Sequence, residues 1–381
     1  MEQKCVKGLW DESVPGIKFD ENGISNYAKM FQGFIELYPR GERGLAEWEE
    51  WLKRIKKDGK NMRYDCIAGV SGGTDSCYLL YLAKKHGLRP LAVNLDNGFN
   101  SKTAVGNIKK VTTALQIDLE TFVIDYEEVK AVLRAYIRAS LPWIDGPTDL
   151  AIKAALYQVA EREGVKYILN GSDFRSEGKQ PTEWTYSDAR QLLFLLKKFE
   201  KIKLRSFPYY TIWQFIRFGY LRKIKMLRPY YFLDYEKRKA QEFLKREYNW
   251  EYYGGHHHEN VFTRFALSYW LPEKFGIDKR IITLSALVMN GEISREKALD
   301  ELKQDPFDGC DMQYEMRYIL KKIDMNETEF EECFSSPNKY YYDYPSYMFL
   351  LNKFNKLSLS GIKKILPFTP AIFIERQNRI E

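Results

Sequence analysis

Tyr64-Asp65-Cys66-Ile67-Ala68-Gly69-Val70-Ser71-Gly72-Gly73-Thr74-Asp75-Ser76 is the stretch from which the rest of the chain is read. An apolar run ends at serine and two glycines, and a helical pattern begins at once. The run predicts a buried strand, the Ser-Gly-Gly-Thr-Asp-Ser segment a tight loop, and the next dozen residues a helix closed by Gly87. Two glycines allow a backbone to approach a phosphate, and a helix N-terminus supplies N–H donors and a favourable dipole. Ser71, Thr74 and Ser76 add hydroxyls, and Asp75 is placed to hold Mg²⁺ against bound phosphates. There is no G-x-x-x-x-G-K-[ST] lysine, so this is no Walker A loop, and no G-x-G-x-x-G either.

The pattern repeats downstream. Pro90–Asp96, Leu119–Asp125 and Lys166–Asn170 read as three more strands, with helix-like segments at 75–86, 101–115, 126–140 and 148–163. Strand–helix alternation predicts an α/β, Rossmann-like parallel sheet, with ligand at the carboxyl ends of its strands. The residues just after each strand are therefore the site candidates. After the second strand these are Asp96 and Asn97, in a segment that equally suits an Asn-Gly turn. After the fourth they are Gly171, Asp173, Glu177 and Lys179 in a polar loop. Farther on, three of the four histidines fall in one run, with His257, His258 and Glu259 as candidates for substrate or acid–base work. Adjacent histidines do not converge on one point from regular structure, so a three-histidine metal site from this run is geometrically poor.

Three regions separate by pattern: an N-terminal segment (1–60), the alternating region (61–190), and a mainly helical, aromatic and charged region (191–381). The 381 residues are 45% hydrophobic and 29% charged with net charge +7, a profile of a globular domain protein rather than a disordered one. Five scattered cysteines argue against a disulfide framework, and the polar start carries no signal-peptide pattern, so a cytoplasmic protein with no membrane span is expected. Lys197–Arg228 holds ten Lys/Arg against one acid, interleaved with aromatics. Such a stretch suits RNA, a membrane surface, an anionic small molecule or plain solvent.

Ser71–Ser76 resembles the pyrophosphate loop of the ATP-pyrophosphatase (PP-loop) superfamily, which implies ATP cleavage between the α and β phosphates, adenylation of a substrate oxygen and displacement of AMP. The segments NLDNGFNS (94–101), DGPTDLAIKAAL (145–156), ILNGSDFRSEGKQPTEWTYSDARQ (168–191), HHHENVFTRF (256–265) and FGIDKR with LSALVMNGEISREKAL (275–298) narrow this. Together they are similar to the N-acetyl sugar amidotransferases of lipopolysaccharide and pseudaminic-acid biosynthesis, over residues 1 to about 303.

That resemblance implies conversion of a sugar acetamido group to acetamidino, with ATP and Mg²⁺ as cofactors. Ser71, Gly72, Gly73, Thr74, Asp75 and Ser76 would take pyrophosphate and metal, and Asp96, Asn97 and Gly171 the nucleotide. Asp173, Glu177 and Lys179 would serve the reacting end, with His257, His258 and Glu259. No nucleophile-elbow cysteine offers a glutaminase, so a separate subunit resembling that of imidazole glycerol phosphate synthase is the implied ammonia source. Nucleic acid is not an expected partner; a tRNA-modifying adenylase and an inactive nucleotide-binding scaffold are the alternatives. The family's N-terminus carries a four-cysteine zinc knuckle. Here Cys5 stands alone, with Gly8, Ser25 and Ala28 at the other three positions, so no structural zinc is expected.

Overall fold

The computed structural model describes residues 3–254, 259–305 and 311–350. Five parallel strands form one sheet in the order β3-β2-β1-β4-β5: β1 (Cys66–Gly69), β2 (Pro90–Asp96), β3 (Leu119–Val123), β4 (Tyr167–Leu169) and β5 (Lys225–Leu227). The register pairs Ile67 with Leu91 and Ile168, and Asn94 with Thr121. Four of the strands lie within the segments expected from sequence. β5 does not: three residues with a lysine at the start carry no legible strand pattern, and they pair with β4 out of the basic stretch.

Helices α1 (Asn26–Leu37) and α2 (Glu42–Gly59) precede the sheet, and both faces of β1 are covered, as a parallel sheet requires. Cys66, Ala68 and Val70 pack with Leu79, Leu80 and Ala83 of helix α3 (Thr74–Lys85). Ile67, on the opposite face, packs with Leu156, Val159 and Ala160 of α6 (Gly146–Arg162). The connection α4 (Lys102–Ala114) leads from β2 to β3, after which α5 (Tyr126–Arg138) and α6 carry the chain back to the other side of β1. Strand order therefore reverses between β1 and β4, and a cleft opens at their carboxyl ends, where a switch-point ligand site belongs.

A second core, shared by all three sequence regions, includes Phe34, Tyr136, Leu192, Phe262 and Phe330. In the N-terminal frame Cys5 Sγ accepts a hydrogen bond from the Ser25 N–H at 3.3 Å, and the Cys5 N–H donates to Trp10 O at 2.8 Å. A Cβ at Gly8 would lie 2.6 Å from the Trp10 ring, so a second cysteine there would have to displace that ring. The Leu9 N–H donates to Ser285 Oγ at 2.8 Å, tying the frame to a distant helix. Among the described residues no helix is long and apolar enough to cross a membrane.

Candidate functional site

The loop after β1 is shaped by what lies behind it. Gly72 has φ +85°, and a Cβ there would stand 2.3 Å from the Ala104 carbonyl oxygen of α4, so only glycine fits. The Gly72 carbonyl accepts hydrogen bonds from Trp250 Nε1 at 3.0 Å and Asn107 Nδ2 at 3.3 Å, both from buried side chains. The two groups of a trans peptide point opposite ways. Anchoring that carbonyl turns the Gly73 N–H away from Trp250, toward Ser71 Oγ at 3.3 Å. Gly73 is the N-cap of α3. A Cβ at Gly73 would meet only side-chain ends: Tyr253 Oη at 3.0 Å, Glu259 Oε1 at 3.2 Å and Ser71 Oγ at 3.2 Å. That open cradle, at a helix N-terminus with two serine hydroxyls, is what a phosphate group fills.

Asp75 is held from three sides. Tyr235 donates its hydroxyl to Oδ1, Lys237 Nζ lies 2.9 Å from Oδ2, and Tyr230 donates to the Asp75 carbonyl at 2.6 Å. Burial disfavours the Lys237 ammonium, yet Asp75 and the nearby carboxylates outweigh it and keep its pKa above the ordinary value. Behind the loop, Gly171 after β4 comes so close that a Cβ would sit 3.1 Å from the Asp75 carbonyl group.

A cleft of about 350 Å³ opens in front of this loop. Ser71, Gly73, Asp75, Ser76, Asn97, Gly171, Glu177 and Glu259 line it together. Gly72 and Thr74 form the loop from behind and below. Asn97 is nearly buried; its Oδ1 accepts from Phe99 N and Asn260 Nδ2, each at 3.1 Å, and its Nδ2 reaches Thr148 Oγ1 at 3.4 Å.

Other candidates are placed elsewhere. Asp96 accepts from the Gly98 N–H at 2.8 Å, making the Asx-type turn, and does not line the cleft. Asp173 is 1% exposed and faces Arg40 at 3.0 Å while capping the short helix Phe174–Glu177. Burial pushes its carboxyl up to about 6, with Arg40 opposing. Its position corrects the expectation of a reacting-end residue to that of a buried structural carboxylate. Lys179 also lies off the cleft lining, and His257 and His258 fall outside the described residues. None of the ten cations of Lys197–Arg228 lines the cleft. Arg217 and Arg222 pair with Glu161 at 2.8 and 2.7 Å, and Arg228 reaches a lining residue, Ser172 Oγ, at 3.1 Å.

The opposite wall holds residues that the sequence did not mark as site residues. Trp143 and Asp145 come from just before α6, Thr148 and Asp149 from its first turn, and Asn260, Thr263 and Lys279 from later in the chain; Lys237 and Tyr253, from beyond the sheet, line the loop side. The Pro147-Thr148-Asp149 signal was legible only as a helix start; that the helix opens into the cleft is a matter of packing. This wall is stitched to the loop after β2. Asn260 and Asn100 form an antiparallel bridge, Ser101 N donates to Glu259 O at 2.8 Å, and Val261 N donates to Phe99 O at 2.9 Å.

The last residues of that wall come from the chain after Glu259. Residues 259–358 match the family described as LPS biosynthesis protein WbpG-like, C-terminal domain. The matched segment supplies Glu259, Asn260, Thr263 and Lys279 to the cleft. The chain is also 29% identical over 269 residues to the uncharacterized protein MJ1599 of Methanocaldococcus jannaschii, across 70% of this chain and 81% of that one. Among solved structures, it is similar to the NH3-dependent NAD synthetase of Campylobacter jejuni (TM-score 0.28, 14% identity, 73% of this chain and 97% of the other). It is similar as well to the U34-tRNA thiolase NcsA of Methanococcus maripaludis (TM-score 0.32, 12% identity, 68% and 81%). The parallel sheet, its strand order and its loop carry the fold assignment on their own.

Proposed function

We propose that this chain is an ATP-dependent, AMP-forming amidotransferase that converts the acetamido group of a nucleotide-linked or nonulosonic sugar to acetamidino. The observation that carries the reading is the juxtaposition of the glycine cradle at the switch point with a wall built from the WbpG-like segment. An amide oxygen is a poor nucleophile and a poor leaving group, so it needs activation. The amide oxygen attacks the α phosphorus, the bond between the α phosphorus and the bridging oxygen breaks, and pyrophosphate departs. Donors fixed before reaction, here Gly73 N–H and the Ser71 and Ser76 hydroxyls, offset charge developing on that leaving group. The amide nitrogen loses its proton to give an O-adenylyl imidate, which ammonia then attacks.

Asp75 lines the cleft with a carboxylate shared by Tyr235 and Lys237, and it would hold a magnesium ion there, since Mg²⁺ keeps most of its waters and needs only one or two protein carboxylates. When bound there the ion would neutralise phosphate charge. Ammonia from a separate glutaminase subunit fits the cleft's open mouth, and a cytoplasmic setting fits the use of ATP.

The test is incubation of the purified chain with Mg²⁺, ATP, ammonium and a panel of acetamido nucleotide sugars and nonulosonic acids. AMP and pyrophosphate formed with one sugar, alongside a product with an added positive charge, is the expected result. AMP formed only with tRNA would replace this reading with an RNA-modifying adenylase, and no AMP with either would leave a nucleotide-binding scaffold.

A further inference from the structure

The loop end of the cleft carries N–H groups, hydroxyls and Lys237 together with Asp75 and Glu259. The other end carries the carboxylates Asp145, Asp149 and Glu177 with Lys279 and Lys153, and Asp145 is the most buried of them. Asp145 is 2% exposed and lines the cleft. Its Oδ2 accepts from Thr263 Oγ1 at 2.5 Å, while Oδ1 has no hydrogen-bond partner. Asp145 stands at the N-cap position of α6, yet its side chain does not cap the helix. A buried carboxylate oxygen without a donor is costly and calls for a donor from elsewhere.

Its surroundings say which kind. Asp149, exposed at the mouth, accepts from Trp143 Nε1 at 2.8 Å, and Glu177 lines the same end. The Trp143 ring face already attracts one ammonium, that of Lys279, whose Nζ lies 3.8 Å from the ring centroid. Lys153 stands at the exposed rim. An inner carboxylate with a spare oxygen, an outer carboxylate at the entrance and an aromatic wall suit a small cation with several N–H donors.

We propose that Asp145 binds the incoming ammonium through Oδ1 and accepts its proton, with Asp149 drawing the cation in. The inference rests on the amidotransferase reading above and assigns its second half-reaction. One proton passes from ammonium to the Asp145 carboxylate. The ammonia lone pair forms a C–N bond to the imidate carbon, and the C–O bond to the adenylate breaks with its electron pair leaving on AMP. A second proton shifts from the new nitrogen to the old one, giving an amidinium. The proton on Asp145 returns to solvent. Asp145 is suited to this exchange because burial first, then Asp149, raise its carboxyl to about 7, against Thr263, Thr148 and Lys279.

Two measurements test it. In crystals of the full chain soaked in a thallium(I) salt, an ion of about ammonium size, an anomalous peak beside Asp145 is expected, and its absence from this end of the cleft overturns the inference. In the sugar assay, Asp145→Asn should cut amidine formation about 100-fold or more, the scale of a lost general base, with a raised KM for ammonium. Single-turnover pyrophosphate release should fall far less. Equal loss of both half-reactions, or an unaltered ammonium KM, overturns it. Asp149→Asn, at an exposed position where folding is not at stake, should raise the ammonium KM alone. If the wild-type chain forms no AMP with any sugar, the amidotransferase reading fails, whereas the thallium peak still decides the cation site.

Discussion

Two neighbouring glycines of the phosphate loop should respond to the same substitution in opposite ways. Gly72 sits at φ +85° with the Ala104 carbonyl oxygen 2.3 Å from where a Cβ would be, whereas Gly73 is the N-cap of α3, with φ −72° and only side-chain ends nearby. In Gly72→Ala the left-handed backbone costs about 1–2 kcal/mol. The overlap with fixed α4 backbone adds about 1–3 kcal/mol, as overpacking does. A loss of about 2–5 kcal/mol of stability is therefore expected, with the loop displaced and nucleotide binding lost as a consequence. Gly73→Ala keeps an alanine-compatible backbone, and Tyr253, Glu259 and Ser71 need yield only a few tenths of an ångström. Its stability should fall by no more than about 1 kcal/mol, the scale of replacing a helix cap by alanine. Its added methyl fills the cradle, so ATP affinity should fall at least about ten-fold, or about 1.4 kcal/mol. Urea unfolding by circular dichroism and titration with a fluorescent ATP analogue separate the two effects. Equal destabilisation by both variants, or wild-type stability in Gly72→Ala, would refute the account of how the loop is held.

Three further outcomes are expected. Asp145 has a folded pKa of about 7 against an ordinary 3.8, so the native state binds the extra proton between those values and loses stability as pH rises through them. Asp145→Asn should thus match wild type near pH 4 and exceed it above pH 7, by at most about 4 kcal/mol, in urea midpoints at the two pH values; a variant less stable at high pH contradicts this. Lys237→Met removes the cation 2.9 Å from Asp75, and ATP-analogue affinity should drop about ten-fold and become less salt-dependent; an unchanged salt slope contradicts it. Cys66 and Cys77 are fully buried and burial pushes both thiols far up, so iodoacetamide should alkylate them only in unfolded chain; mass spectrometry of the native protein decides.

The alternation of short apolar runs with helical segments, and the glycines at 72 and 73, were enough to read the parallel sheet and its loop. These are local features: a buried strand needs a continuous apolar run, and a tight strand–helix turn needs residues free of Cβ clashes. The same local logic placed Asn97 and Gly171 at strand ends. It did not decide direction. Asp96 and Asp173 also follow strands, but one closes a turn on Gly98 and the other faces Arg40. Which way a side chain points depends on partners far along the chain. β5 escaped because three residues paired to an existing strand need no periodicity of their own. The wall of Asp145, Thr263 and Lys279 was decided by tertiary structure alone. Its residues lie on separate elements brought together by packing, and whether a carboxylate there is satisfied or left with a bare oxygen depends on what folding places around it.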